Sequence, residues 1–242
     1  MKHVVSWSGG KDSTAMLLSM IKRGMPIDQI VQMDTGKEFP AMLRHIEKVK
    51  KHIHPLKVTT VKLDFDYWFS EHVKTRGVDA GMKGYGWPDF KNRWCTRLKS
   101  NAATTTIYSR NKYNPRRSDG VKKYRTDVIQ YFGIAYDESK RTLNNLEHEI
   151  KYPLIDWKIT GKRALRYCYD NGFYWEGLYE LFDRVSCWCC PLSRVGELHI
   201  LYNEFPELWT QLKKMDKKSR RRFSTYYTVD ELEKKFEPTT CQ

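Results

Sequence analysis

The chain has 242 residues, 40% of them hydrophobic and 14% aromatic, and a net charge of +14. That length and apolar content suit one large domain, or a core with a smaller appendage, and exclude a disordered chain. No stretch approaches the roughly 20 apolar residues of a membrane helix, and the first apolar run is too short for a signal peptide, so a cytoplasmic protein is expected.

The apolar run Val4–Trp7 predicts a buried strand. It breaks into Ser8-Gly9-Gly10-Lys11-Asp12-Ser13. Ala15, Met16, Leu17, Leu18, Met20 and Ile21 then follow at helical spacing, up to a stop at Gly24-Met25-Pro26. Ile30–Met33 predicts a second strand, ended by Asp34-Thr35-Gly36. A helical pattern follows over Phe39–Ile53 and a third strand over Val58–Leu63. From about 65 to 126 the pattern fades into aromatic, glycine-bearing and basic sequence, read as an insertion over the binding edge of the sheet. Val128–Ile134 predicts another strand. Beyond 157 the chain turns helical, over 160–170, 195–202, 206–215 and 229–236. The last helix opens on the capping box Thr228 to Glu231.

Strands alternating with helices imply parallel crossovers. The expected fold is therefore α/β, an open and mostly parallel sheet with helices on both faces. The expected domains are a nucleotide-binding α/β domain over 1–157, with the insertion at about 65–126, and a helical C-terminal region over 158–242.

The charge is concentrated. Residues 91–126 carry eleven Lys and Arg against the single acid Asp119, and 213–222 carry seven against Asp216, so the rest of the chain is close to neutral. Such segments beside Tyr108, Tyr113 and Tyr124 suit a nucleic acid or another polyanion; a solvated basic loop is the alternative.

The turn after the first strand is the strongest chemical signal. A strand that ends in Ser-Gly-Gly and runs straight into a helix offers unpaired amides at the positive end of a helix dipole, which is an anion site. Glycines let backbone approach phosphate oxygens without a Cβ in the way. Ser6, Ser8, Ser13 and Thr14 add hydroxyls and Lys11 adds a point charge. Asp12 suits such a site as a helix cap or a Mg2+ ligand. The spacing is neither that of the common nucleotide-hydrolase loop nor a dinucleotide fingerprint.

The string SGGKDS after a strand resembles the PP-loop of the ATP pyrophosphatase superfamily, which cleaves ATP between its α and β phosphates. Four more segments, with that loop, resemble the phosphoadenylylsulfate (PAPS) reductase-like branch. They are Asp34-Thr35-Gly36-Lys37-Glu38-Phe39-Pro40, Cys95-Thr96-Arg97-Leu98-Lys99, Gly133 through Arg141, and Tyr152 through Trp157. Cys187-Trp188-Cys189-Cys190-Pro191 resembles a late C-x-x-C-P element of the same branch. The resemblance implies an adenine nucleotide alpha-hydrolase-like fold that binds ATP with Mg2+. Ser8, Gly9, Gly10, Lys11 and Ser13 would hold the β and γ phosphates, with Ser6, Asp12 and Thr14 beside them. Asp34, Thr35 and Gly36 would face the adenosine, with Gly133 against the nucleotide. Arg97 and Lys99 would join Lys11 and Asp12 as catalytic groups, meeting the second substrate or the departing anion.

Two departures matter. PAPS reductases proper lack the loop lysine, which this chain keeps as Lys11. They also carry a reactive cysteine in a C-terminal Glu-Cys-Gly-x-His segment, whereas Cys241 here lacks that glycine and histidine and reads as a tail thiol.

Six cysteines in a reducing compartment point to metal binding or redox chemistry rather than disulfides. By the resemblance, Cys95, Cys187 and Cys190 would hold a 4Fe-4S cluster, with one iron left open. Cys189 is a possible fourth ligand, zinc is the competing metal, and reduced buried thiols are the third reading. Cys168, on the apolar face of its helix, reads as core.

Together these readings imply an ATP-dependent adenylylating enzyme, a candidate sulfurtransferase acting on a nucleic acid or another polyanion. The alternatives are a reductase of adenylyl sulfate or PAPS, a sulfate adenylyltransferase-like enzyme, and a nucleotide-sensing nucleic-acid-binding protein without turnover.

Overall fold

The computed structural model describes residues 1–108, 128–142 and 149–237. Much of the first basic segment (109–126) and Cys241 lie outside the described residues. The chain forms two compact units that interleave along the sequence. One comprises residues 1–34, 40–62 and 99–178, the other 35–39, 63–98 and 179–242.

The first unit holds the sheet. Strands β1 (Lys2–Trp7), β2 (Gln29–Asp34), β3 (Val58–Lys62), β4 (Val128–Phe132) and β5 (Glu149–Lys151) lie in the order β3-β2-β1-β4-β5. Every pairing is parallel. Consecutive residues of a strand point to opposite faces, and both Val4 and Val5 are fully buried. Both faces of β1 are therefore covered, which is why the central strands read as unbroken apolar runs. On one face Val4, Val31 and Val128 pack with Ile107.

The crossovers are helical. Helix α1 (Lys11–Lys22) starts directly after the glycine turn and buries Ser13 through Met20. Helix α2 (Pro40–His52) opens on a proline, whose missing N–H costs nothing at that position. Helix α3 (Trp94–Tyr108) falls inside the stretch expected to be an insertion. It has no apolar stripe to announce it, and its Thr104 and Thr106 hydroxyls bond back to the carbonyls of Ser100 and Ala102. Its residues from Lys99 onward belong to the sheet unit. Helix α4 (Pro153–Asp156) and helix α5 (Gly161–Asp170) complete this unit, with α5 packed on α1. Helix α6 (Leu178–Leu181) begins with its last residue.

The second unit is built on aromatic side chains. Trp87 packs edge-on against Phe69 and Phe223, and Trp94 lies against Phe65 and Tyr85. Helices α7 (Val195–Glu204), α8 (Pro206–Lys218) and α9 (Val229–Phe236) add a leucine-rich core with Trp209 and Phe236. The Thr228–Glu231 capping box forms in both directions, at 3.2 and 2.7 Å. The basic run 213–222 is partly neutralised in place: Lys213 pairs with Glu233, Arg220 with Asp79, Arg221 with Asp89 and Arg222 with Glu231. No helix among the described residues is long and apolar enough to cross a membrane.

Candidate functional site

The strand order reverses at β1, between β2 and β4, and open α/β sheets bind ligands outside the carboxyl ends of strands at such a point. Here that point is the glycine turn. Gly9 has φ +80°, and a Cβ there would stand 2.7 Å from Ile46 Cγ1, so both backbone and space require glycine. The Gly9 carbonyl accepts from Thr14 Oγ1 at 3.2 Å and from Trp175 Nε1 at 2.9 Å. Trp7 Nε1 in turn donates to Thr14 Oγ1 at 3.0 Å. Across a trans peptide the N–H points opposite to the C=O. Holding the Gly9 carbonyl inward therefore turns the Gly10 N–H the other way, toward Ser8 Oγ at 3.4 Å.

Ser13 locks the loop to the helix. Its Oγ donates to the Gly10 carbonyl at 3.1 Å and accepts from the Ser8 N–H at 3.2 Å, with Ser8 Oγ at 3.0 Å. Gly133, just beyond β4, presses on the same point: a Cβ there would lie 2.5 Å from Ser13 Cα. Beside these groups opens a cavity of about 480 Å³, within the range of small-molecule sites. Its lining includes Ser6, Ser8, Ser13, Met33, Lys99, Gln130, Phe132 and Gly133. Asp34 ends β2, one residue past Met33.

Lys11 Nζ lies 3.0 Å from both carboxylate oxygens of Asp12. Burial pushes the Asp12 carboxyl above its ordinary value against the pull of Lys11, and Glu138 and Asp137 push the same way. A Cβ on Gly161 would come within 2.8 Å of Lys11 Nζ, so the amine fits against the bare start of α5. The Gly161 N–H donates to Asp137 Oδ1 at 2.9 Å.

The second unit gathers the sulfurs. Cys95 sits in the first turn of α3, and Arg97 is exposed two residues on. Cys187 and Cys190 close a turn in which the Cys190 N–H donates to the Cys187 carbonyl at 3.1 Å. The buried Trp188 between them donates its N–H to the Lys37 carbonyl at 3.0 Å, which ties the turn to Thr35–Phe39. Thr35 Oγ1 donates to Glu38 Oε1 at 2.7 Å and lies 3.5 Å from Cys187 Sγ. Gly36 next to it has φ +69°. The Lys37 ammonium pairs with Asp66 at 2.9 Å and lies 5.6 Å from the centre of the Trp188 ring. Burial pushes the Cys190 thiol up, the Leu192 amide opposes it, and Cys187 and Cys95 push it further up, so these three sulfurs are within electrostatic reach. Cys189 is 1% exposed and burial holds its thiol well above the ordinary value. Cys168 is fully buried beneath α1, its Sγ 3.5 Å from the Lys11 carbonyl. Among the described residues, no group of three or more His, Cys, Asp or Glu side chains is placed to hold a metal ion.

A parallel α/β sheet with a phosphate-type turn at its switch point is the architecture of the PP-loop enzymes. The family model of the phosphoadenosine phosphosulfate reductase domain matches residues 2–193, and the chain belongs to that family. It is 29% identical over 217 residues to an uncharacterized protein of Methanocaldococcus jannaschii; the match takes in 85% of this chain but only 39% of that relative's length. Among solved structures, the U34-tRNA thiolase NcsA of Methanococcus maripaludis, determined with its 4Fe-4S cluster, is similar at a TM-score of 0.41 and 14% identity. That alignment covers 98% of this chain and 72% of the other, a likeness too distant to carry a functional argument.

Several residues at these sites have no signature in the sequence. Trp7 and Trp175 brace the turn, and nothing local marks an indole 166 positions away. Gln130 does leave a signal, as a buried polar residue in an otherwise apolar central strand. Lys37 occupies the variable place in its segment and leaves none.

Proposed function

We propose that this protein is an ATP-dependent sulfurtransferase that adenylylates an oxygen of a nucleic acid or another polyanionic acceptor. The observation that carries the reading is the turn at the switch point, where the bonded hydroxyls of Ser8 and Ser13 line a cavity of about 480 Å³ with Lys99, and Lys11 stands in the same turn beside Asp12. Amides, hydroxyls and an ammonium are what β and γ phosphates require. A reductase of PAPS has no β–γ pyrophosphate to hold, and the retained Lys11 favours whole ATP. Mg2+ is held in such sites by one or two carboxylates plus substrate phosphates, and Asp12, beside Lys11 in the turn, would be the candidate carboxylate.

In the first step an acceptor oxygen attacks the α-phosphorus, the bond to the β-phosphate oxygen breaks, and pyrophosphate leaves. Lys11 and the loop amides neutralise the departing charge, and Lys99 flanks the same cavity. In the second step a sulfur nucleophile displaces AMP from the activated carbon. The donor set of Cys95, Cys187 and Cys190 is all thiol, with the Leu192 amide on one sulfur, and that chemistry suits a 4Fe-4S cluster. Such a cluster supplies a site for the transferred sulfur. Trp188 anchors the turn that carries Cys187 and Cys190, and Thr35 lies against Cys187.

The test is anaerobic purification with iron, sulfide and zinc analysis, followed by pyrophosphate release from Mg-ATP. The expected result is iron with sulfide, and pyrophosphate release that requires Lys11. No binding of ATP would overturn the reading. Zinc in place of iron would remove the cluster and leave adenylylation alone, and sulfite release from a sulfonucleotide with a thiol donor would make the chain a reductase.

A further inference from the structure

We propose that the turn Asp89–Arg93 is a stacking platform for an unpaired base of a single-stranded nucleic acid, with Lys91, Arg93 and Arg97 on the flanking phosphates. Phe90 stands at its tip, 73% exposed. A lone exposed apolar side chain carries no meaning by itself. What singles this one out is how firmly it is presented and what surrounds it.

The turn is pinned on both sides by buried indoles. Trp87 is 1% exposed and donates Nε1–H to Asp216 at 2.7 Å, and Trp94 is fully buried and donates to the Gly86 carbonyl at 2.9 Å. Between them Asp89 Oδ1 accepts the N–H groups of Lys91 and Asn92 at 2.8 and 2.6 Å, while its other oxygen pairs with Arg221. The backbone that carries the ring is fixed on both sides, while the ring itself stays in water. A ring carried on a fixed backbone is presented at a set position, so less ordering of the turn is needed when a flat partner stacks on it.

The charge around the ring selects that partner. The Arg93 guanidinium lies 5.8 Å from the Phe90 ring centre. Lys91, Arg93 and Arg97 are exposed, and no acid occurs between Phe90 and Tyr108. Asp89, the acid beside the ring, is already engaged by Arg221 and two amides. A partner must therefore offer both a π-face and negative charge, and single-stranded nucleic acid offers both at every residue. Phe90 precedes Cys95 by five positions, a span of at most about 18 Å. A base stacked there would lie within a few nucleotides of the thiol set.

The proposal depends on the reading above only for the choice of nucleic acid as acceptor, and one set of titrations separates the two. Fluorescence anisotropy of a labelled short single-stranded RNA is followed with the full chain at two salt concentrations, with heparin as a polyanion that has no bases. Pyrophosphate release is measured on the same preparation. Phe90→Ala should weaken RNA binding roughly 5- to 100-fold, leave the salt slope unchanged and leave heparin binding alone. Phe90→Trp should restore affinity, and its added indole fluorescence should be quenched by RNA. Arg93→Ala should lower the salt slope by about 0.7. RNA binding of Phe90→Ala within about twofold of the parent would overturn the platform while leaving the acceptor class intact. Equal loss of RNA and heparin binding would also overturn it, since charge alone would then be responsible. A parent chain that releases pyrophosphate yet binds no RNA would remove the nucleic-acid acceptor and the platform together.

Discussion

The indole N–H of Trp175 donates to the carbonyl of Gly9 at 2.9 Å and joins residues 166 positions apart. The turn that delivers it is bent: Trp175, Glu176 and Gly177 all have positive φ, at 49°, 50° and 84°. Two consecutive non-glycine residues in that region cost about 1 kcal/mol or more each. Helix α2 supports them, with Arg44 paired to Glu176 through two contacts and His45 stacked on Trp175 at 4.1 Å.

Trp175→Phe keeps a ring against His45 and removes the donor. The Gly9 carbonyl then keeps its bond from Thr14, and the Gly9–Gly10 peptide is freer to rotate. We expect the KM for ATP to rise up to about tenfold with a smaller change in kcat, and stability to fall by about 1 kcal/mol. Pyrophosphate-release kinetics and a thermal melt read both effects. Unchanged kinetics beside a lowered melting point would leave Trp175 a packing residue only.

Two glycine-to-alanine changes should act in opposite directions. At Gly133 the added Cβ meets Ser13 Cα at 2.5 Å and Ser13 N at 2.7 Å, and backbone cannot step aside as a flexible side chain can. Gly133→Ala should cost about 1–3 kcal/mol and displace the start of α1, with loss of ATP binding by calorimetry. At Gly196, in α7, a Cβ meets nothing within 4 Å. Gly196→Ala should stabilise by about 0.5–1 kcal/mol without touching ATP affinity.

His45 makes stability depend on pH. It is 4% exposed, its Nε2 has no hydrogen-bond partner among the described residues, and burial with help from Lys48 lowers its pKa from 6.5 to about 3. The unfolded chain therefore binds a proton that the folded chain refuses. Its contribution is complete above pH 6.5 and is lost as the pH falls from 6.5 toward about 3, at up to about 1.4 kcal/mol per pH unit. His45→Phe should flatten that slope in urea titrations at successive pH values; an unchanged slope would place the titration elsewhere.

The cysteines should separate into two groups. Cys95→Ser, Cys187→Ser and Cys190→Ser should each lose iron and sulfide after anaerobic reconstitution, read by absorption and metal analysis. Cys189→Ala and Cys168→Ala should retain them and instead lose about 1–2 kcal/mol through the small cavity each leaves. Loss of iron in Cys189→Ala would make that residue a ligand.

Much of the sheet unit was legible because its signals are local. Val4 and Val5 bury both faces of one strand, and a glycine pair between strand and helix is visible within ten residues. Helix α3 was not legible, because its threonines and asparagine carry no apolar period and its hydroxyls bond to its own backbone. Strand β5 has three residues, too few for any period to register. At the candidate sites, the sequence singles out the loop residues Ser8 to Ser13 and the cysteines as candidates. Their setting could not be read from it, since Lys37 meets Trp188 and Arg221 meets Asp89 only after folding. That last pair shows the limit of reading charge along the chain alone: four of the seven cations at 213–222 meet acids that the run itself does not contain.

The backbone passes from one compact unit to the other five times. On the ribosome, then, neither body has all its pieces until late in translation: the sheet waits for Leu178, and the thiol set for the segment after it. Every contiguous fragment that holds all of one body also carries pieces of the other. A premature stop, or a gene split, before residue 178 therefore leaves both bodies short of a piece. A truncation that isolates one body strands segments of the other, and substitution is the cleaner way to dissect the two.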